Sequence, residues 1–189
     1  MRLYHVPGTR STRVLWLLEE TGAPYDLTVL AREDRQTDEH RARHPLGRVP
    51  VIEEDGGHVI ESAAIALHVA DAHPAAGLIA PLGSHERALA YQWVVFAMTE
   101  LEPRVVEKQR DPDVDPERFR AAAQVVEDAL DGHEYLVGDR FGVADVVLGA
   151  VLIYAKRFEL TDGFPRLEAY VERLEERPAR KRATEIGRP

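Results

Sequence analysis

The residues from His44 to Ser62, HPLGRVPVIEEDGGHVIES, leave the backbone fewer choices than any other part of the chain. Pro50 donates no N–H and pushes Val49 out of the helical region, so the Val49-Pro50 step cannot lie inside a fully paired strand. The backbone groups of Val49 are left to pair with something outside the sheet. Asp55-Gly56-Gly57, set between Val51-Ile52 and Val59-Ile60, is a tight-hairpin signal. Glu61-Ser62 then opens an alanine-rich helical run with Ser62 as the candidate N-cap. A strand edge offering backbone hydrogen bonds is thereby placed near a helix N-terminus whose N–H groups suit a carboxylate.

The flanking sequence supplies the rest of a small α/β domain. Residues 2–6 alternate as a strand, and Val14, Leu15, Leu17 and Leu18 have helical spacing over 11–22, ending at Gly22. Ala23-Pro24 breaks that helix before a second strand over 25–30, giving a β-α-β unit with parallel strands and a right-handed crossover. The polar segment 33–43 reads as a poor helix or a mobile loop. Strands near 50–53 and 58–61 form the hairpin, and the helix over 62–73 stops at Pro74. After a Pro-, Ala- and Gly-rich stretch the pattern is helical throughout. Ser84 caps a long helix to about Arg110, and Asp115-Pro116 starts another to about Leu130. Between Val143 and Ala155 the only charge is Asp145, so this helix should run through the centre of a second domain, with Asp145 in a structural capping role. Residues 165–176 form a last amphipathic helix, followed by a basic tail.

Composition removes several classes of chemistry. With no cysteine there is no disulfide, thiolate metal site or cysteine nucleophile. A net charge of -9 repels phosphate backbones, so nucleic acid is not an expected partner. No apolar run approaches a membrane span and no signal-peptide pattern opens the chain, which makes a cytoplasmic location the expectation and excludes a membrane partner. His40 and His44 are four apart, but Pro45 follows and no third ligand has suitable spacing, so no metal is expected.

A strand edge beside a carboxylate-binding helix start is the polar outline of a γ-glutamyl peptide. The Val49-Pro50 and Glu61-Ser62 elements resemble those of the thioredoxin-fold domain of the cytosolic glutathione transferases. The match extends to RLYHVPG at 2–8 with VLWLLEETGAPY at 14–25, similar to the first strand, helix and second strand of bacterial members, and to GDRFGVAD at 138–145, similar to the turn and cap before the central helix of the family's helical domain. His44 departs from the family's Asn-Pro pattern, and Gly142 stands where it usually has Ser or Thr. The resemblance implies an α/β plus all-α architecture: a thioredoxin-like glutathione-binding domain at 1–75, a linker at 76–83, and an all-helical domain at 84–189 carrying the wall of an electrophile site.

What the family does then becomes the expectation. Glutathione serves as co-substrate, without a metal. Its thiol is activated and transferred to a small hydrophobic electrophile between the domains of a homodimer subunit, a detoxification chemistry. Val49, with a cis bond before Pro50, binds the peptide's backbone, Ser62 its γ-glutamyl carboxylate, Glu61 its ammonium group and Arg48 its glycyl carboxylate. A free thiol has a pKa of about 8.5, so a donor or a positive field must favour the thiolate. Ser11, Thr9 and Arg10 are the candidate catalytic groups; capping the first helix is the other role open to the two hydroxyls. Tyr91, Val95, Met98 and Thr99 share a face of the long helix and line the electrophile pocket, or else pack in a core. A glutathione-dependent disulfide reductase or peroxidase, and a non-catalytic binding protein of the same fold, are the alternatives.

Overall fold

In the computed structural model, which describes residues 1–186, the chain opens with β1 (Arg2–His5), α1 (Ser11–Thr21) and β2 (Asp26–Val29). α1 ends because Gly22 takes a left-handed conformation, φ 66°, that stops the helical ladder. A 3-10 turn at Glu33–Gln36 and α2 (Asp38–Arg43) follow, then β3 (Val51–Glu54), β4 (Gly57–Ile60) and α3 (Ser62–Ala72). The strand order is β2-β1-β3-β4, with β1 and β2 parallel and both other pairs antiparallel. Leu3, Ile52, Val14, Leu18, Ile65 and Val69 are fully or almost fully buried among the strands, α1 and α3. Segment 33–43, expected as a poor helix or a loop, becomes ordered through Thr37, whose hydroxyl accepts from the His40 N–H at 3.3 Å and caps α2.

The second stretch is helical: α4 (His85–Phe96), α5 (Glu102–Arg110), α6 (Glu117–Ala129), α7 (Val143–Ala155) and α8 (Pro165–Glu175). The single helix expected over 84–110 is interrupted by a π-helical turn at Ala97–Leu101. Pro103 is the physical reason, because it cannot donate to the carbonyl four residues back and its ring crowds that oxygen. All of α7 except Ala150 and Tyr154 is buried, as its apolar sequence requires. A further helix, α9 (Pro178–Glu185), replaces the expected basic tail. Its Ala179 and Ala183 are buried, Arg182 Nε donates to Glu19 Oε2 at 2.6 Å, and the Arg180 guanidinium lies 5.7 Å from the Trp16 ring centre. The compact units are accordingly Met1–Gly77 with the segment from Pro178, and Leu78–Arg177. The second unit thus starts earlier than residue 84 and closes before α9. Among the described residues no helix is long and apolar enough to cross a membrane.

Candidate functional site

The approach to β3 is built from the inside by two histidines. His40, 1% exposed, uses Nε2 to bond the Arg48 carbonyl at 2.9 Å, which ties α2 to the residue before Val49. His44 is buried too, its Nδ1 accepts from the Leu46 N–H at 3.2 Å, and burial lowers its pKa, so the neutral ring needed for that bond is favoured. The histidine standing in place of an Asn therefore keeps the loop closed. Gly47 is required, since with φ 58° an added Cβ would meet the Arg35 carbonyl at 2.6 Å. The bond before Pro50 is cis, as expected. Val49 enters no hydrogen bond with the other described residues, while the Arg48 side chain is exposed.

At the head of α3 the detail differs from the sequence expectation. Ser62 is the first helical residue; the N-cap position belongs to Glu61, with no side-chain capping bond. Glu61 is held at φ 70°, ψ 110°, a left-handed conformation that a non-glycine residue adopts only under constraint. The Ser62 hydroxyl is freed from capping and is buried, accepting from Arg13 Nη1 at 3.3 Å. Arg13, 6% exposed, thus sets a buried positive charge behind the serine and the first N–H groups of α3. Glu61 itself is exposed. The helix start, its serine and the guanidinium together favour an anion.

The turn between β1 and α1 separates the candidate activating groups. Ser11 is fully buried, and its Oγ lies 2.8 Å from His5 Nδ1, 2.8 Å from Thr9 Oγ1, and 3.1 Å from both the N–H and the carbonyl of Val6. A hydroxyl so engaged does not reach a ligand directly. Thr9 is half-buried, donates to the Val6 carbonyl at 2.7 Å and accepts from the Ser11 N–H at 3.3 Å. Arg10 is exposed. Tyr4, the next hydroxyl along, faces elsewhere: its OH donates to Glu53 at 2.6 Å and its ring lies beneath the Arg43 guanidinium, 4.5 Å away. His5 is fully buried, and burial lowers its pKa to about 4, so its ring is neutral at ordinary pH.

In the second unit Tyr91, Val95 and Thr99 are exposed and Met98 is half-buried, so the stripe is not core; Ala90, Trp93, Val94 and Ala97 fill that role. Arg87 donates through Nε to the Tyr91 hydroxyl, and Thr99 donates to the Val95 carbonyl at 3.1 Å. Asp145 is fully buried at the start of α7, accepting from the Leu136 and Gly142 N–H groups at 3.1 and 2.8 Å and from the Tyr170 hydroxyl at 2.8 Å. Burial pushes its pKa up to about 6, and those three hydrogen bonds hold it from rising further. Gly142 leaves no room for a capping side chain, because a Cβ there would meet the Leu78 carbonyl at 2.8 Å. Among the described residues no group of three His, Asp or Glu side chains forms a metal set.

Arg13, His5 and His40 were not picked out from the sequence as parts of this site. The signal for His5 lies in the alternation of β1, which puts it on the same inward face as Leu3. Arg13 is four residues before the buried Leu17 on α1, so helical spacing places it on the inner face as well.

Comparison with known proteins adds the family. The model for the glutathione S-transferase N-terminal domain matches residues 1–71, and that for the C-terminal domain matches 80–178. The chain is 30% identical to glutathione S-transferase GstA of Escherichia coli O157:H7, over 94% of each sequence. Among solved structures it is similar to a glutathione transferase from Methylococcus capsulatus, with TM-score 0.85 and 28% identity over 97% of this chain and 96% of that one. A sphingomonad glutathione S-transferase complexed with glutathione superposes with TM-score 0.86 at 27% identity, covering 97% of both chains.

Proposed function

The chain belongs to the glutathione S-transferase family, and from that premise we propose that it binds glutathione, stabilises its thiolate and transfers it to a small hydrophobic electrophile. The observation that carries the reading is the anion-favouring start of α3, where Ser62 is backed by Arg13 rather than spent on capping. The γ-glutamyl carboxylate docks there, and the exposed Glu61 meets the ammonium group beside it. Val49, whose backbone groups have no partner among the described residues, pairs with the peptide backbone, Pro50 shapes that edge, and Arg48 attends the glycyl carboxylate. Thr9 is the hydroxyl nearest the surface and donates to the sulfur, with Ser11 behind it and Arg10 contributing positive charge. Tyr91, Val95, Met98 and Thr99 form the wall against which the electrophile rests. A cytoplasmic homodimer with a detoxifying role is the setting this activity implies.

The test is direct. Incubating the protein with glutathione and a panel of electrophiles, disulfides and peroxides, with products identified by mass spectrometry, should yield thioether conjugates. Turnover confined to disulfides or peroxides, or none at all, would overturn the transfer reading.

A further inference from the structure

Resting on the reading of Thr9 as the donor to sulfur, we propose that His5 is a positioning residue whose ring orients the protons of Ser11 and Thr9 so that Thr9 offers a ligand only a donor, selecting thiolate over thiol. Counting protons and lone pairs gives the direction. His5 Nε2 is buried without a hydrogen-bond partner, while Nδ1 lies 2.8 Å from Ser11 Oγ. A neutral imidazole carries one N–H, and a buried orphan N–H is rarer than a buried unfilled lone pair. The proton therefore belongs on Nδ1, donated to Ser11. Ser11 Oγ then accepts from His5 and from the Val6 N–H at 3.1 Å, which fills both lone pairs. Of the two acceptors left for its own O–H, Thr9 Oγ1 at 2.8 Å is closer than the Val6 carbonyl at 3.1 Å, which already accepts from Thr9, so the O–H goes to Thr9. Thr9 Oγ1 accepts that O–H together with the Ser11 N–H at 3.3 Å. Both of its lone pairs are taken as well, and its single hydrogen is free to leave the resting Val6 carbonyl for the ligand.

A thiolate accepts that hydrogen. A thiol S–H finds no acceptor on Thr9. The opposite tautomer reverses the chain: Ser11 would donate to His5 and accept from Thr9, leaving Thr9 with an empty lone pair that favours the S–H form. One proton position on a residue that never meets the ligand thus decides which protonation state of glutathione the turn prefers.

Two measurements test it. The first is the long-range proton–nitrogen NMR spectrum of the His5 ring in the parent protein, which should show the Nδ1–H tautomer; the Nε2–H tautomer overturns the proposal. The second is the pKa of protein-bound glutathione, followed through thiolate absorbance. Thr9→Ala should raise it by about one unit, a roughly tenfold smaller thiolate-to-thiol ratio. His5→Phe, which removes the donor, should raise it similarly with little change in glutathione affinity, and His5→Asn, whose amide nitrogen takes the Nδ1 place, should restore the parent value. If Thr9→Ala moves the pKa and His5→Phe does not, the proton relay falls and Thr9 stands. If Thr9→Ala leaves it unmoved, Thr9 is not the activating group and the relay falls with it. Should His5→Phe fail to fold, the tautomer in the parent decides.

Discussion

Asp145 and Ser11 are both completely buried polar residues in the first turn of a helix, yet they are embedded in opposite ways. Asp145 sits in a closed node: two N–H groups and one phenol converge on a carboxylate, and the network ends there. The Ser11 node is open at both ends, with an unpartnered His5 nitrogen inside and the half-buried Thr9 hydroxyl outside. Nearby, Glu61 holds a left-handed backbone and Val49 keeps its backbone groups unspent. A polar node satisfied on all sides serves the fold, whereas one with capacity left over has room for a partner from outside it.

The sharpest way to break this contrast is to remove the closed node. Asp145→Ala strands three buried donors at about 1–3 kcal/mol each. A chain of this size loses about 2–4 °C of thermal midpoint per kcal/mol, so a drop of about 10 °C or more is expected in a calorimetric scan. Glutathione affinity of the protein that stays folded should not change. An unmoved midpoint would show that Asp145 is solvated and that the node is not closed.

Acid titration sharpens the same contrast, because the two nodes shift pKa values with opposite effect on stability. Asp145 is raised from 3.8 to about 6, so the folded chain binds its proton more readily and stability falls as pH rises between those values. His5 is lowered from 6.5 to about 4, so the unfolded chain binds the proton more readily and stability rises with pH across that interval. In thermal melts from pH 4 to 6.5, the deficit of Asp145→Asn relative to the parent should narrow with rising pH, and that of His5→Phe should widen. Parallel melting curves for parent and His5→Phe would mean that the ring is reached by water and the node is not buried.

How far the two nodes were legible differs for the same physical reason. Asp145 stood out because a lone charge inside an apolar helical run has one economical use, capping, and sequence spacing is local enough to show it. The β-α-β unit, the hairpin and the buried α7 were legible through periodicity, which each segment carries in itself. The interruption at Ala97–Leu101 was hidden by following the apolar stripe past Pro103. α9 was hidden because its small buried face, Ala179 and Ala183, is outnumbered by basic residues whose partner Glu19 lies far away in sequence. In the candidate site Val49, Glu61 and Ser62 could be placed from the hairpin, but Arg13 meets Ser62 only through tertiary packing. Without that contact, sequence spacing alone makes the Ser62 hydroxyl read as a cap. Turn residues 9–11 showed hydroxyls without showing which one faces outward.

Ser62→Ala probes whether the head of α3 belongs to the open region. Losing a hydrogen bond to a charged group costs about 1.5–3 kcal/mol, so titration calorimetry should show glutathione binding weakened roughly 10- to 100-fold. Because Ser62 makes no capping bond, the melting temperature should fall less than for Asp145→Ala. Equal affinity for parent and variant would remove Ser62 from the site.

Arg48 gives the smallest effect and divides the contrast within a single residue. Its carbonyl is held by the buried His40, whereas its side chain is exposed. Arg48→Ala leaves the backbone and its bond to His40 in place, so only a solvated charge is removed. An exposed ion pair contributes about 0.2–1 kcal/mol, which corresponds to a loss in glutathione affinity of no more than about fivefold. Salt should erase even that, since charges in water are screened beyond about 3 Å at 1 M ionic strength. The parent and Arg48→Ala should therefore bind glutathione equally at high salt, while Ser62→Ala keeps most of its deficit there, being a short contact in a buried place. A large Arg48→Ala deficit that survives 1 M salt would show that the guanidinium is desolvated around the ligand. Arg48 would then join the open node as a full member of the binding site.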